Sequence, residues 1–249
     1  MPKLGLVSIS FRKKSPETIL RAAANAGLSC IEWGSDVHAP CSDPARIHQI
    51  VQLQNQYGIT CSSYGTYFRL GETPVNELPA YICAAKLLGT DILRLWCGSK
   101  SADNCTAEEK DQLFSQCRQA AAMAEEAGVK LCMECHIKSY TETMDGALEL
   151  MKAVNSPAFR MYWQPNQFRT VEENICYAQA LQEYITHIHV FQWKGKERFP
   201  LETGVEEWHR YLEALPGQHT LLLEFMPDDQ IDSLSKEVNA LCRIAGGNR

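Results

Sequence analysis

Two apolar runs in this 249-residue sequence each close on a glutamate, Lys130-Leu-Cys-Met-Glu134 and Thr220-Leu-Leu-Leu-Glu224. Side chains alternate along a strand, so Glu134 shares a face with Cys132 while Leu131 and Met133 take the other. The apolar face belongs against helices, which turns both carboxylates inward, and an ionised carboxylate held there needs a cation or a proton. The run Ile185-Thr-His187-Ile-His189-Val-Phe191 sends His187 and His189 inward in the same way, with His189 nearer the C-terminal end. In Met161-Tyr-Trp163-Gln164-Pro165, Tyr162 and Gln164 share the inward parity and Pro165 ends the strand. Two carboxylates, an imidazole and a neutral amide oxygen on one rim form a donor set adequate for Mn²⁺, Mg²⁺ or Co²⁺. A single inward glutamate is equally well explained by a salt bridge. Two at equivalent strand ends argue for shared chemistry.

Other polar residues fall near the same rim. Glu32, in Ile31-Glu-Trp-Gly34, has inward parity, as do Arg94 and Trp96 in Leu93-Arg-Leu-Trp96. Glu32 either orients a substrate or pairs with Arg94, and the pair is favoured because a buried arginine needs a partner. His136 and Lys138 are candidates to hold a substrate oxygen or phosphate, with a solvated loop as the plain alternative. The segment from Gly65 to Glu72 reads as a long third loop whose aromatics either stack on a sugar or pack on the rim. Cys132 and Cys135 have zinc-like spacing, yet their odd separation on a strand puts them on opposite faces, as core thiols.

The elements that must carry these groups are marked by glycines. Helical patterns end at Gly27, Gly58, Gly89 and Gly128, spaced by 31, 31 and 39 residues, and each leads into a buried-type strand: Ser29 to Trp33, Ile59 to Ser63, Asp91 to Trp96 and Val129 to Cys135. Ser15-Pro16 and Asp43-Pro44 start helices, and Thr106 with Glu109 forms a capping box. Beyond Gly128, strands are expected at Arg160 to Gln164, Ile185 to Phe191 and His219 to Phe225. Helices are expected at Thr143 to Asn155, Val171 to Tyr184, Val205 to Leu215 and Asp228 to Ile244. With Lys3 to Ser10 as the first strand, eight βα units of about 31 residues predict a (β/α)8 barrel, one domain over residues 1–249. An open doubly wound sheet usually has a glycine-rich turn after its first strand, and Ser8-Ile-Ser-Phe-Arg-Lys-Lys14 has no glycine.

Composition narrows the partners. With 24 Lys and Arg against 30 Asp and Glu, the net charge is −6, which gives no general attraction to a phosphate backbone. Nucleic acid and membrane are not expected partners, because no apolar run approaches the ~18 residues of a span. Eleven cysteines, an odd number, and an N-terminus without a signal-peptide pattern predict reduced thiols and a cytoplasmic protein.

The layout of Glu134, Gln164, His189 and Glu224 at the ends of strands five to eight, separated by 30, 25 and 35 residues, resembles the xylose isomerase-like TIM barrels. That superfamily includes sugar phosphate isomerases/epimerases, ketose 3-epimerases, hydroxypyruvate isomerases, inosose dehydratases and endonuclease IV. The resemblance implies an isomerase or epimerase of a small sugar, sugar phosphate or related polyol. It implies a divalent cation on those four residues, Mn²⁺ first, with Mg²⁺, Co²⁺ or Zn²⁺ as alternatives. It makes Glu134 and Glu224 the acid and base that move a proton through an enediolate. It also implies a small carbohydrate partner, a homodimer or homotetramer, and substrate contacts from His136, Gln167, Glu32, Trp96 and the loop Lys194-Gly-Lys196-Glu-Arg198. That basic loop closes over the substrate in the family, and an exposed charged loop is its plain alternative. The sequence departs from the family at strand six, where Asp and, three residues on, His are replaced by Gln164 and Gln167, and again at Gln192. An inosose dehydratase-like lyase, which would use the same metal-enolate intermediate but expel water, is one competing expectation, and the missing carboxylate motivates another, a sugar-binding barrel with a decayed metal site. Endonuclease IV-like chemistry is disfavoured, since the chain has seven histidines and two of them, His48 and His209, fall on helices.

Overall fold

Alternation in the strand sequences becomes the wall of a barrel in the computed structural model, which describes residues 2–246. The strands are β1 (Leu4–Val7), β2 (Cys30–Gly34), β3 (Thr60–Leu70), β4 (Ile92–Cys97), β5 (Lys130–Glu134), β6 (Phe159–Trp163) and β7 (Ile185–Val190). A short antiparallel hairpin, β8 (Trp193–Lys194) and β9 (Glu197–Arg198), precedes the eighth barrel strand, β10 (Thr220–Leu223). The eight barrel strands pair in parallel, and β1 closes on β10. Eight helices form the outer layer: α1 (Pro16–Ala26), α2 (Pro44–Tyr57), α3 (Leu78–Leu88), α4 (Ala107–Ala127), α5 (Met144–Val154), α6 (Val171–Leu181), α7 (Val205–Glu213) and α8 (Leu234–Ile244).

The expected helix signals are used. Ser15 accepts the Thr18 N–H, Asp43 accepts the Arg46 N–H, and Thr106 and Glu109 exchange hydrogen bonds as a capping box. Gly27, Gly58, Gly89 and Gly128 all close their helices in the left-handed conformation that a Cβ would disfavour.

Several boundaries differ from the sequence expectation. β1 stops at Val7 and the chain continues as a 3₁₀ turn, Ser8–Phe11. The segment expected as a third loop is mostly strand: β3 runs to Leu70, and beyond an irregularity between Gly65 and Arg69 it resumes pairing, Arg69 with Trp96 and Leu70 with Cys97. β4 extends far enough to satisfy those backbone groups, so the aromatics of this stretch lie on an extended strand. α8 begins at Leu234, because Asp228 instead ties a preceding turn, accepting from the Gln230 N–H and the Ser233 hydroxyl.

Two layers of apolar side chains separate cleanly by parity. Ile31, Leu93, Leu131, Met133, Ile188 and Leu223 face the helices. Cys30, Ile92, Cys132, Tyr162 and Leu222 fill the barrel interior. Above that plug stand Glu32, Arg94, Glu134, His189 and Glu224, all buried. No helix among the described residues is long and apolar enough to cross a membrane.

Candidate active site

Glu32, Arg94, Glu134 and Glu224 are each one inward step further along their strands than a plug residue, and His189 one step beyond His187, so strand parity carries all five to the C-terminal end of the barrel. Arg94 joins two carboxylates there, its Nε 3.2 Å from Glu32 Oε1 and its Nη1 2.8 Å from Glu134 Oε2. The Trp96 indole N–H donates to the same Glu134 oxygen at 2.5 Å, which leaves Oε1 toward the barrel axis. Ser63 donates to the other oxygen of Glu32. The expected Glu32–Arg94 pair is therefore present, and its extension to Glu134 was not foreseen.

His189 is the centre of the constellation. Its Nδ1 lies 3.1 Å from Gln164 Oε1, 3.6 Å from Glu224 Oε2 and 3.8 Å from Glu134 Oε1, while Nε2 lies 3.5 Å from Glu32 Oε1. The Tyr162 ring packs edge-on beneath it, 5.0 Å away. Burial opposes a charge on this imidazole, but Glu224 and Glu32 outweigh it and raise its pKa to about 9. The two candidate acid/base groups are displaced in opposite directions. Burial pushes the Glu224 carboxyl up to about 7, the nearby charge of Glu134 adding to it against the pull of His189. Glu134 is equally buried, yet Arg94 and then His189 hold it below the usual carboxylate range.

A cavity of about 310 Å³ opens over these groups. Of the expected residues, Glu134, His136, Gln164, Gln167, Glu224 and Trp96 line it. His136 stacks on Trp96 with ring centroids 4.9 Å apart. Glu32 does not reach the cavity. It is fully buried behind Arg94, where its partners use both oxygens. His187 sits lower, facing the Thr186 and Ser62 carbonyls. The basic loop also stays out of this cavity: Lys194 pairs with Glu207, Lys196 is exposed, and Arg198 pairs with Asp229. Hairpin geometry explains this: Lys194 lies opposite Glu197, Lys196 sits in the turn, and Arg198, opposite Trp193, packs on the Trp193 and Phe225 rings toward Asp229, while the Gly195 N–H donates to the Gln167 carbonyl. Lys138 is exposed as well, its N–H held by Glu142. Gln192 is buried against α7, with its amide directed at Glu207. All eleven cysteines are free.

The sequence expectation did not include the apolar lining from Ile9, Phe191, Trp193 and Phe225. Phe225 follows Glu224 directly but has φ +58°, a conformation that costs an aromatic residue about 1–3 kcal/mol and that no local motif announces. Tyr67, from the stretch expected to cap a sugar, lines the cavity with its ring edge-on to Trp96 at 5.2 Å.

Glu134, Gln164, His189 and Glu224 supply the donors a divalent cation would use. Bonds of about 2.1 Å at tetrahedral or octahedral angles separate neighbouring donors by roughly 3.0–3.4 Å, close to the 3.1–3.8 Å found around Nδ1. Among the described residues, no three His, Cys, Asp or Glu side chains alone form a metal-holding group. A cation here would have to draw on the amide oxygen of Gln164 as well, and His189 Nδ1 would have to lose its proton.

Comparison with known proteins places the chain by this fold. The family described as xylose isomerase-like TIM barrel matches residues 20–243, and the chain belongs to it. A probable 3-DHS dehydratase, AsbF, from Bacillus anthracis superposes with TM-score 0.80 at 16% identity, covering 97% of this chain and 98% of that one. The zinc-bound IolI protein gives 0.77 at 13% identity, with 98% of each chain covered. D-psicose 3-epimerase gives 0.74 at 14% identity, covering 98% and 100%. Among curated proteins, no sequence matches the chain.

Proposed function

We propose that the protein is an isomerase or epimerase of a small carbohydrate, working by proton transfer between Glu134 and Glu224. The observation that carries this reading is that two buried carboxylates border one cavity, 3.8 and 3.6 Å from His189 Nδ1, with their proton affinities pushed apart. Carboxylates separated in this way divide into a base and an acid. Glu134, held ionised by Arg94, takes the proton from the carbon beside a substrate carbonyl. Glu224 returns a proton from the other side, and transfer across opposite faces of a planar enediolate inverts the stereocentre. The Gln164 amide, which lines the cavity, orients the substrate oxygens, and His189, buried beneath it, holds Gln164 and the two carboxylates in place. Trp96, His136, Tyr67 and Phe225 give the ring or chain apolar surfaces and exclude water.

A divalent cation on Glu134, Gln164, His189 and Glu224, manganese before magnesium, cobalt or zinc, would polarise the carbonyl and its neighbouring hydroxyl when bound. The zinc bound to the IolI protein supports the cation, and the epimerases among the similar structures support the carbohydrate part of the reading. A second reading, sugar binding without turnover, is favoured by Gln164 in place of a carboxylate.

The test is incubation with Mn²⁺ and a panel of ketoses in D₂O, followed by NMR. Expected are an epimer or isomer carrying deuterium at the reacting carbon, and its loss in Glu134→Gln and Glu224→Gln. Product without deuterium would replace proton transfer by a hydride shift. Loss of water from the sugar would assign a lyase. Binding without product in the presence of metal would support the second reading.

A further inference from the structure

A second hollow of about 500 Å³ lies beside the first, between the loop after β1 and the loop after β10. Ile9 and Phe225 line both hollows, so they form the partition between them. The partition is fixed in place: the Phe225 N–H, at its left-handed φ, donates to Ser10 Oγ at 2.9 Å. The two hollows meet at Phe225.

The second hollow is cationic in a chain whose net charge is −6. Arg12, Lys13, Lys14 and Arg198 line it, with Asp229 as its lining carboxylate. Both arginines are held in position. Arg198 pairs with Asp229, and its guanidinium lies 4.9 and 5.0 Å from the ring centroids of Trp193 and Phe225. Arg12 pairs with Asp36 and donates to the Tyr67 hydroxyl at 3.1 Å, and Tyr67 lines the first cavity. Lys13 and Lys14 have no ion pair among the described residues. Four cations against Asp36 and Asp229 leave two positive charges, the complement of a phosphate monoester at neutral pH. The loop after the last strand is also a place where (β/α)8 barrels commonly take phosphate.

We propose that this hollow is an anion subsite, and that the substrate is a sugar phosphate whose carbons lie in the first cavity and whose phosphate lies among Arg12, Lys13, Lys14 and Arg198. The sugar part rests on the isomerase reading above, while the anion subsite does not. The test is calorimetric titration of the full chain with D-fructose 6-phosphate and with D-fructose. The phosphate ester is expected to bind at least about tenfold more tightly at low salt, with the preference shrinking as salt is added. In the exposed double variant Lys13→Ala/Lys14→Ala, the ratio of the two affinities is expected to collapse toward one. Equal affinities in the parent protein, or a preference that survives the double variant, would overturn the proposal. Deuterium exchange run on both sugars separates the two ideas. Exchange with D-fructose but no phosphate preference keeps the isomerase and removes the subsite, and a phosphate preference without exchange does the reverse.

Discussion

Gln164 contributes one neutral oxygen to the ring around His189 Nδ1, beside Glu134, which Arg94 holds, and Glu224, which has no ion pair with Arg94. A carboxylate in the same place adds a negative charge within bonding reach of any cation there. Gln164→Glu, which keeps the side-chain length, is expected to tighten Mn²⁺ binding by at least about tenfold, measured by calorimetry, and unchanged affinity would mean that position 164 does not face the ion. Arg94 makes the opposite case. Buried at 2% exposure between Glu32 and Glu134, it cannot be removed without leaving two unpaired carboxylates. Arg94→Leu is expected to cost about 3–5 kcal/mol in urea unfolding, and adding Glu32→Gln should return part of the loss. At this scale parity made much of the arrangement legible. Glu134, His189 and Glu224 could be placed on one rim because each follows an apolar alternation. Parity says that Arg94 points inward but not to which neighbour, so its second partner stayed hidden, as did the left-handed Phe225.

β3 shows what element-level patterns carry and what they miss. The apolar run from Ile59 to Ser63 announced a strand, and the aromatic-rich stretch from Gly65 to Glu72 read as a loop. Pairing with an extended β4 instead carries the strand on to Leu70. Long-range pairing of this kind leaves no periodic mark on the strand that receives it. The helices were far more legible, because caps and C-terminal glycines act locally. The irregularity in β3 also has a function in packing. A Cβ on Gly65 would stand 2.5 Å from Glu32 Oε1 and 3.0 Å from Arg94 Nη2, so the missing side chain is the space that the ion network occupies. Gly65→Ala is expected to destabilise by about 1–3 kcal/mol through overpacking, read as a lower urea midpoint at unchanged m. A neutral result would mean that the network can shift without loss.

For the whole molecule, the closed barrel was predictable from eight repeating units, while the way its ends are tied together depends on contacts between loops distant in sequence. His38, in the loop after β2, is one such tie. It is buried, and its Nδ1 is 3.1 Å from Ser8 Oγ, which also accepts the Gly34 N–H. Burial lowers its pKa from 6.5 to about 4, and the positive charges of Arg46 and Arg12 act in the same direction. Between those pH values the unfolded chain binds a proton that the folded chain refuses, so stability from this group is complete above pH 6.5 and falls as the pH drops toward 4. Each pH unit corresponds to about 1.4 kcal/mol, a total of about 3 kcal/mol across the window. Glu224, raised to about 7, works against this trend between its unfolded value of 4.5 and 7, because it favours the folded state as the pH falls. The two contributions are separated by comparing the parent protein with His38→Gln in urea unfolding at pH 4.5, 5.5 and 7. The Glu224 contribution is common to both proteins and cancels in the difference. The parent should lose stability relative to the variant as the pH falls, and parallel profiles would show that His38 is protonated as easily in the fold as outside it.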